Sequence, residues 1–295
     1  MAAFPVRSNG LAIRRSFLVS QEQRIAFDHA TGSHGDPTRP HPSRSLTFRS
    51  GHPDIDRYLA EGYDRVRGMS SRFAATICGH VIRRQSELGI AGHVAEIGTF
   101  EGRFFIAMAL GLAPGERALG IDLFDWPNSG VLDLLHGHCA RNGLARERYE
   151  ALKANSRALT PADILGRLGG PVRFFHIDGE HERESLTADL DLAQAVLHPQ
   201  GIICLDDMLH PGYPLLLVAV HEWLERHPEM RVLCVIDRED IVAAAKFMIC
   251  HAEAVALYEQ DLMTSFQPQH FVLGAEFERY FCVVLTPHPR LAEVD

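Results

Sequence analysis

In the stretch "VAEIGTFEGRFF", residues 94–105, Glu96, Gly98 and Gly102 give the spacing ExGxxxG. A GxGxxG loop would bring backbone N–H groups and a helix N-terminus up to a pyrophosphate. A carboxylate on the strand just before the loop would repel phosphate, so this loop suits a ligand that lacks phosphate and carries positive charge. Asp122 ends the next apolar run, in "GIDLFD", where a carboxylate accepts hydrogen bonds from ribose hydroxyls. S-adenosylmethionine, with its sulfonium and amino group, fits that description. Acids and glycines at strand ends also cap helices and shape turns. What favours a cofactor is Glu96 with Gly98, followed by Asp122 after the next strand.

A second constellation lies further on. Asp178 ends "FFHID", and Asp206 with Asp207 ends "IICLDD". On neighbouring parallel strands these three carboxylates would converge, and they repel one another unless protonated, bound by cationic groups, or shared by a hard divalent cation. Mg2+ is the natural candidate, since its charge lowers the pKa of a bound hydroxyl. The alternative is that Asp178 touches the cofactor while Asp206 and Asp207 cap a helix. His181 follows Asp178 by three residues in "DGEH", where an imidazole suits proton removal at neutral pH. Helix capping is the competing role for His181, and His210 in "DDMLHPG" is a second candidate base.

The elements that must position these residues alternate. "HVAEIG", "RALGIDLF", "YEALKAN", "VRFFHIDG", "GIICLDD" and "RVLCVI" read as strands, and "RYFCVVLT" as the last one. Between them "FFIAMALGLA", "SGVLDLLHGHCARNGL", "PADILGRL", "ERESLTADLDLAQAVL" and "LLLVAVHEWLERH" read as helices, and "AAAKFMIC" is read as a strand rather than a helix. This rhythm predicts an α/β fold, Rossmann-like and doubly wound: a mostly parallel sheet with helices on both faces and ligands beyond the C-terminal strand ends.

Composition bounds the partners. The 295 residues carry a formal charge of -9, which argues against nucleic acid and anionic membranes and for a small molecule. No apolar run approaches the roughly 20 residues needed to span a bilayer. Six scattered cysteines without a CxxC spacing, five of them in apolar runs, read as reduced and buried, so the expected compartment is the cytoplasm. A homo-oligomer is compatible with these features. Residues 1–50, with seven arginines and no lysine, read as a loosely ordered extension ahead of a domain spanning 51–295. The acid-free start resembles a transit peptide, but only two lysines in the whole chain and abundant alanine favour a bacterial arm.

Taken together, "VAEIGTFEGRFF", "GIDLFD", "FFHIDGEHERESLTADLDLA" and "GIICLDDM" resemble the class I S-adenosylmethionine-dependent methyltransferases. The likeness is to the methyltransferase domain 24 type in particular, related to macrocin-type O-methyltransferases, and it runs over roughly residues 55 to 286. It implies seven strands with an antiparallel edge and O-methylation of a hydroxylated sugar, polyketide or phenol. It also implies cofactor contacts at Glu96, Gly98, Thr99, Gly102, Asp122 and Ser156, with Asp178 beside the cofactor. Metal-dependent members place carboxylates as Asp178, Asp206 and Asp207 stand here, and some place their base where His181 stands. Similar sequences tend to read NK before an apolar strand where this chain has Ala245 and Lys246, so a role for that asparagine does not carry over. Segments 1–70, 208–215 and 251–278 are the expected lids over the acceptor.

Overall fold

The run His93–Ile97, buried from Val94 onward, becomes β1 in the middle of a sheet. The computed structural model describes residues 49–240, 242–266, 270–277 and 279–287, all within the compact unit Leu46–Asp295. The expected extension at 1–50 lies almost wholly outside the described residues. The other strands are β2 (Ala118–Asp122), β3 (Tyr149–Lys153), β4 (Val172–Ile177), β5 (Leu197–Met208), β6 (Met230–Ile236), β7 (Ala245–His251), β8 (His270–Phe277) and β9 (Tyr280–Leu285). Their order across the sheet is β3-β2-β1-β4-β5-β7-β6-β9-β8. The pairings among β1 to β5 are parallel, β7 runs antiparallel between β5 and β6, and β8 is an antiparallel edge on β9.

The fold class is the one the alternating pattern predicts. The strand count is not the seven that the resemblance implies: among the described residues there are nine, and the apolar pattern marks all of them but β8. The segment that becomes β8 follows a short helix and carries no long apolar run, which is why it escapes a reading by hydrophobic pattern.

Helices α1 (Pro53–Glu61), α2 (Arg72–Glu87), α3 (Arg103–Ala109) and α4 (Val131–Arg141) pack on one face of the sheet. Helices α5 (Pro161–Leu168), α6 (Arg183–Val196) and α7 (Pro214–Arg226) pack on the other, and α8 (Glu259–Ser265) joins the first face. Their ends follow local chemistry. The Ser71 hydroxyl accepts the Ala74 N–H to start α2, and Thr160 with Asp163 forms a reciprocal capping box at α5. None of the helices among the described residues is long and apolar enough to cross a membrane. All six cysteines are buried and outside any disulfide.

Strand residues alternate between the two cores. Val94, Phe174, Cys204 and Met248 face the α2 side, while Ala95, Phe175, Ile203 and Phe247 face the α6 side. Each such fully buried large side chain contributes roughly 1.5–3 kcal/mol relative to exposure. The same period of two puts Glu96, His176 and Lys246 on the α2 face, in a layer that is otherwise apolar.

Register then aligns the strand ends. Ile97 pairs with both Ile121 and Ile177, and Ile177 pairs with Leu205. The next residue of each strand, Gly98, Asp122, Asp178 and Asp206, therefore stands in one row at the C-terminal edge. Between β5 and β7 the register slips: Leu205 opposes Phe247 and Met208 opposes Ala245, so Asp206 and Asp207 together oppose the single residue Lys246. This is a β-bulge, and Asp207 sits at φ 56 within it.

Candidate active site

A cleft of about 620 Å³ opens along that row. It is lined by the segments that leave β1, β2, β3, β4 and β5, together with Arg67–Ser70 ahead of α2. Of the three expected lid regions, residues 67–70 and the pair His210 and Tyr213 line the cleft, and none of the described residues of 251–278 does.

Glu96 is 2% exposed. Its Oε1 lies 2.9 Å from His176 Nδ1, while Oε2 is buried without a hydrogen-bond partner, as is the nearby Thr99 hydroxyl. Burial pushes the Glu96 carboxyl well above the usual carboxylate range, against the opposing effects of Lys246 and of the Thr99 hydroxyl, which lies close by without the geometry of a full hydrogen bond. Gly98 has φ +83, and a Cβ there would fall 1.7 Å from the Asp178 carbonyl oxygen, so the β1 loop can pass the end of β4 only with glycine at this position. Asp122 Oδ2 accepts the Phe100 N–H at 2.8 Å and Oδ1 accepts the Phe124 N–H at 2.7 Å. The carboxylate is thus held rigidly, and each oxygen keeps a lone pair for a further donor. Ser156 opens a short 3-10 turn and lines the cleft beside Asp189. Gly102 does not reach the cleft. It caps α3 in the left-handed region and packs against Leu135, a role in the turn.

The carboxylates after β4 and β5 do not converge as a trio. Asp206 turns into the sheet, where Lys246 pairs with its Oδ2, Ser70 Oγ donates to the same oxygen at 2.8 Å, and Oδ1 accepts the Asp207 N–H at 2.8 Å. Burial raises this carboxyl, but Lys246 and His176 outweigh it and hold it below the usual range. The bulge is the reason: opposite one lysine, the two consecutive aspartates diverge, and only Asp207 faces outward. The residue that joins Asp178 and Asp207 is His181, and donor atoms of the three lie within 4.8 Å of one another. His181 Nε2 is 2.6 Å from Asp207 Oδ2, and its ring stacks on Tyr213 at 4.0 Å with planes 8° apart. Tyr213 also stacks against His210, whose ring is 4.6 Å away. Burial, with Asp206 and Asp207 adding repulsion and Lys246 opposing, pushes Asp178 well above the usual range.

Residues 95–208 match the family model described as a methyltransferase domain. That span holds Glu96, Gly98, Asp122, Asp178, His181 and Asp207, the residues just placed around the cleft. Over that span the chain is similar to a methyltransferase domain. No curated protein sequence matches it significantly. Among solved structures, it is similar to an O-methyltransferase from Bacillus cereus in complex with SAH. That pair shares 16% identity and a TM-score of 0.51, covering 67% of this chain and 90% of that one. It is also similar to a putative O-methyltransferase from Klebsiella pneumoniae, at 16% identity and a TM-score of 0.50, covering 68% and 90%. At such identities the likeness concerns the fold.

Three features of the site escape a reading of the sequence. Asp189 on α6 is 2% exposed and lines the cleft with Oδ1 unpartnered, and burial pushes its carboxyl up to about 6 against the opposing effects of Ser156 and Arg157. His176 and Lys246 are wholly buried on the α2 face. The one available signal for the last two was a basic side chain inside an apolar run, "FFHID" and "AAAKFMIC", in a chain with only two lysines.

Proposed function

We propose that this methyltransferase domain takes S-adenosylmethionine as donor and methylates a hydroxyl group of a small molecule. The observation that carries the reading is Glu96. A buried carboxyl with one oxygen on His176 and the other unpartnered is costly unless a ligand supplies a donor. The donor's amino group and sulfonium fit it, Asp122 has lone pairs left for ribose hydroxyls, and the absence of a GxGxxG loop argues against a dinucleotide. The bound donor would supply a methyl group already activated on sulfur. Calorimetric titration with S-adenosylhomocysteine tests this: Glu96→Ala and Asp122→Ala should each weaken binding by roughly 1–3 kcal/mol. Unchanged affinity in both folded variants would remove the assignment.

On the acceptor side, His181 is the group to take the hydroxyl proton. Its Nε2 lies 2.6 Å from Asp207 Oδ2, so the carboxylate holds the imidazole by charge at the cleft. Stacking on Tyr213 fixes the ring for that task. Most of the rate would come from alignment of donor and acceptor, since the methyl group is already activated. The cleft mouth carries Trp126, Met69, Leu123 and Val242, all exposed and apolar, which supports an acceptor with a flat apolar face among the sugar, polyketide and phenol classes. Higher turnover of cyclic than of acyclic hydroxylated acceptors is the expected result of a screen.

A second reading has its own observation, the three donors of Asp178, His181 and Asp207 within 4.8 Å. These side chains fit a divalent cation, whose charge would lower the pKa of an acceptor hydroxyl. Under it, chelation abolishes turnover and Mg2+ or Mn2+ restores it. Full activity in excess chelator leaves the His181–Asp207 pair working alone.

A further inference from the structure

We propose that His176 and Lys246 form a buried positioning relay that holds Glu96 with its free oxygen presented to the methyl donor. The proposal rests on reading the cleft as a donor site.

Four strands contribute to the relay. Lys246 on β7 points between β5 and β4, and its ammonium has three hydrogens and three acceptors. These are Asp206 Oδ2, Ser70 Oγ at 3.1 Å and His176 Nε2 at 3.1 Å. The Phe104 ring centre lies 4.5 Å from the same nitrogen and 4.3 Å from the His176 ring, and it packs over the pair in a layer where both side chains are fully buried.

The direction of each bond follows from the groups. An ammonium has no lone pair, so His176 Nε2 is the acceptor and the ring proton resides on Nδ1. Nδ1 then donates to Glu96 Oε1 at 2.9 Å. With Oε1 occupied and the carboxyl plane fixed, Oε2 is the oxygen left to the cleft, and it is the unpartnered one. Lys246 thus selects the histidine tautomer, and the tautomer selects which glutamate oxygen is free. Because Lys246 is anchored by Asp206, which Ser70 also bonds, the relay is fixed at its far end to the Arg67–Ser70 segment lining the same cleft.

A side chain that merely fills space would do none of this. The relay requires a residue that accepts from Lys246 and donates to Glu96 at once. Glutamine satisfies both through its amide oxygen and N–H, whereas leucine satisfies neither.

The test is calorimetry with S-adenosylhomocysteine on wild type, His176→Gln and His176→Leu, with turnover measured at saturating donor. His176→Gln is expected to bind within about threefold of wild type and His176→Leu about 10-fold or more weakly. The loss should fall on donor KM rather than on kcat. Equal weakening in both variants, or wild-type affinity in His176→Leu, overturns the relay. Failure of the wild type itself to bind overturns the donor-site reading instead. Should His176→Leu not fold, 15N NMR of histidine-labelled wild type decides the matter. The His176 resonances, assigned by their loss in His176→Gln, must show a neutral ring protonated at Nδ1 around neutral pH, and an Nε2–H tautomer or an imidazolium overturns the proposal.

Discussion

His181→Ala is expected to lower turnover by roughly 100-fold or more while leaving affinity for S-adenosylhomocysteine unchanged. The imidazole lies on the loop after β4, 2.6 Å from Asp207, and touches none of Glu96, Asp122 or Ser156 on the donor side. Its loss should therefore remove proton transfer without loosening the donor. Because the side chain is 38% exposed, the variant leaves an opening that free imidazole can enter, and added imidazole should restore part of the rate. Under the divalent-cation reading the same variant would respond to added Mn2+ and not to imidazole, so one set of assays separates the two. Asp207→Asn should show a smaller loss, since it removes the charge beside His181 while leaving the ring in its stack on Tyr213. A full-speed His181→Ala enzyme would move the base to His210, the other imidazole against Tyr213.

The sequence makes some of this legible for a simple physical reason. In a parallel sheet the residue at the end of each apolar run stands at the C-terminal edge, so Asp122 and Asp178 can be located from their own strands without knowing any partner strand, and Glu96 from its place two residues before Gly98. Gly98 and Ser156 follow the same logic. Asp206 fails it because its direction depends on β7, forty residues later: the bulge that turns it toward Lys246 is a property of the β5–β7 pairing. His181 could be picked out as a candidate base, but its place beside Asp207 could not be read, for the same cause. Gly102 looked like part of a ligand loop and serves the turn into α3, since a positive φ is demanded both by phosphate loops and by ordinary helix starts. His176 could not be placed by periodicity at all, because a buried histidine between Phe175 and Ile177 reads as strand interior until its two partners are known.

Lys246→Met should destabilise the protein by about 3–5 kcal/mol, the cost of leaving Asp206 buried without its counter-charge. Chemical denaturation of the ligand-free protein measures it. Arg57→Ala is the control: Arg57 and Asp54 are roughly half exposed, and breaking that pair should cost about 0–1 kcal/mol. The pH dependence has two limbs. Asp206 is held below the ordinary 3.8 of an aspartate, so its share of stability is present above that value and is lost as pH falls through the lowered one. Lys246 is raised above the ordinary 10.5 of a lysine, so its share is present below that value and is lost as pH rises through the raised one. Between these limits the difference between wild type and Lys246→Met should be flat, and it should shrink on both sides. Lys246→Met combined with Asp206→Leu should recover much of the lost stability, because two apolar side chains leave no buried charge unpaired. The double variant should nevertheless bind S-adenosylhomocysteine poorly. Without an ammonium on Nε2, His176 is free to adopt the other tautomer, and Glu96 loses the N–H that fixes its free oxygen. Recovery of stability without recovery of donor affinity would separate the two jobs of this lysine, and recovery of both would confine it to the fold.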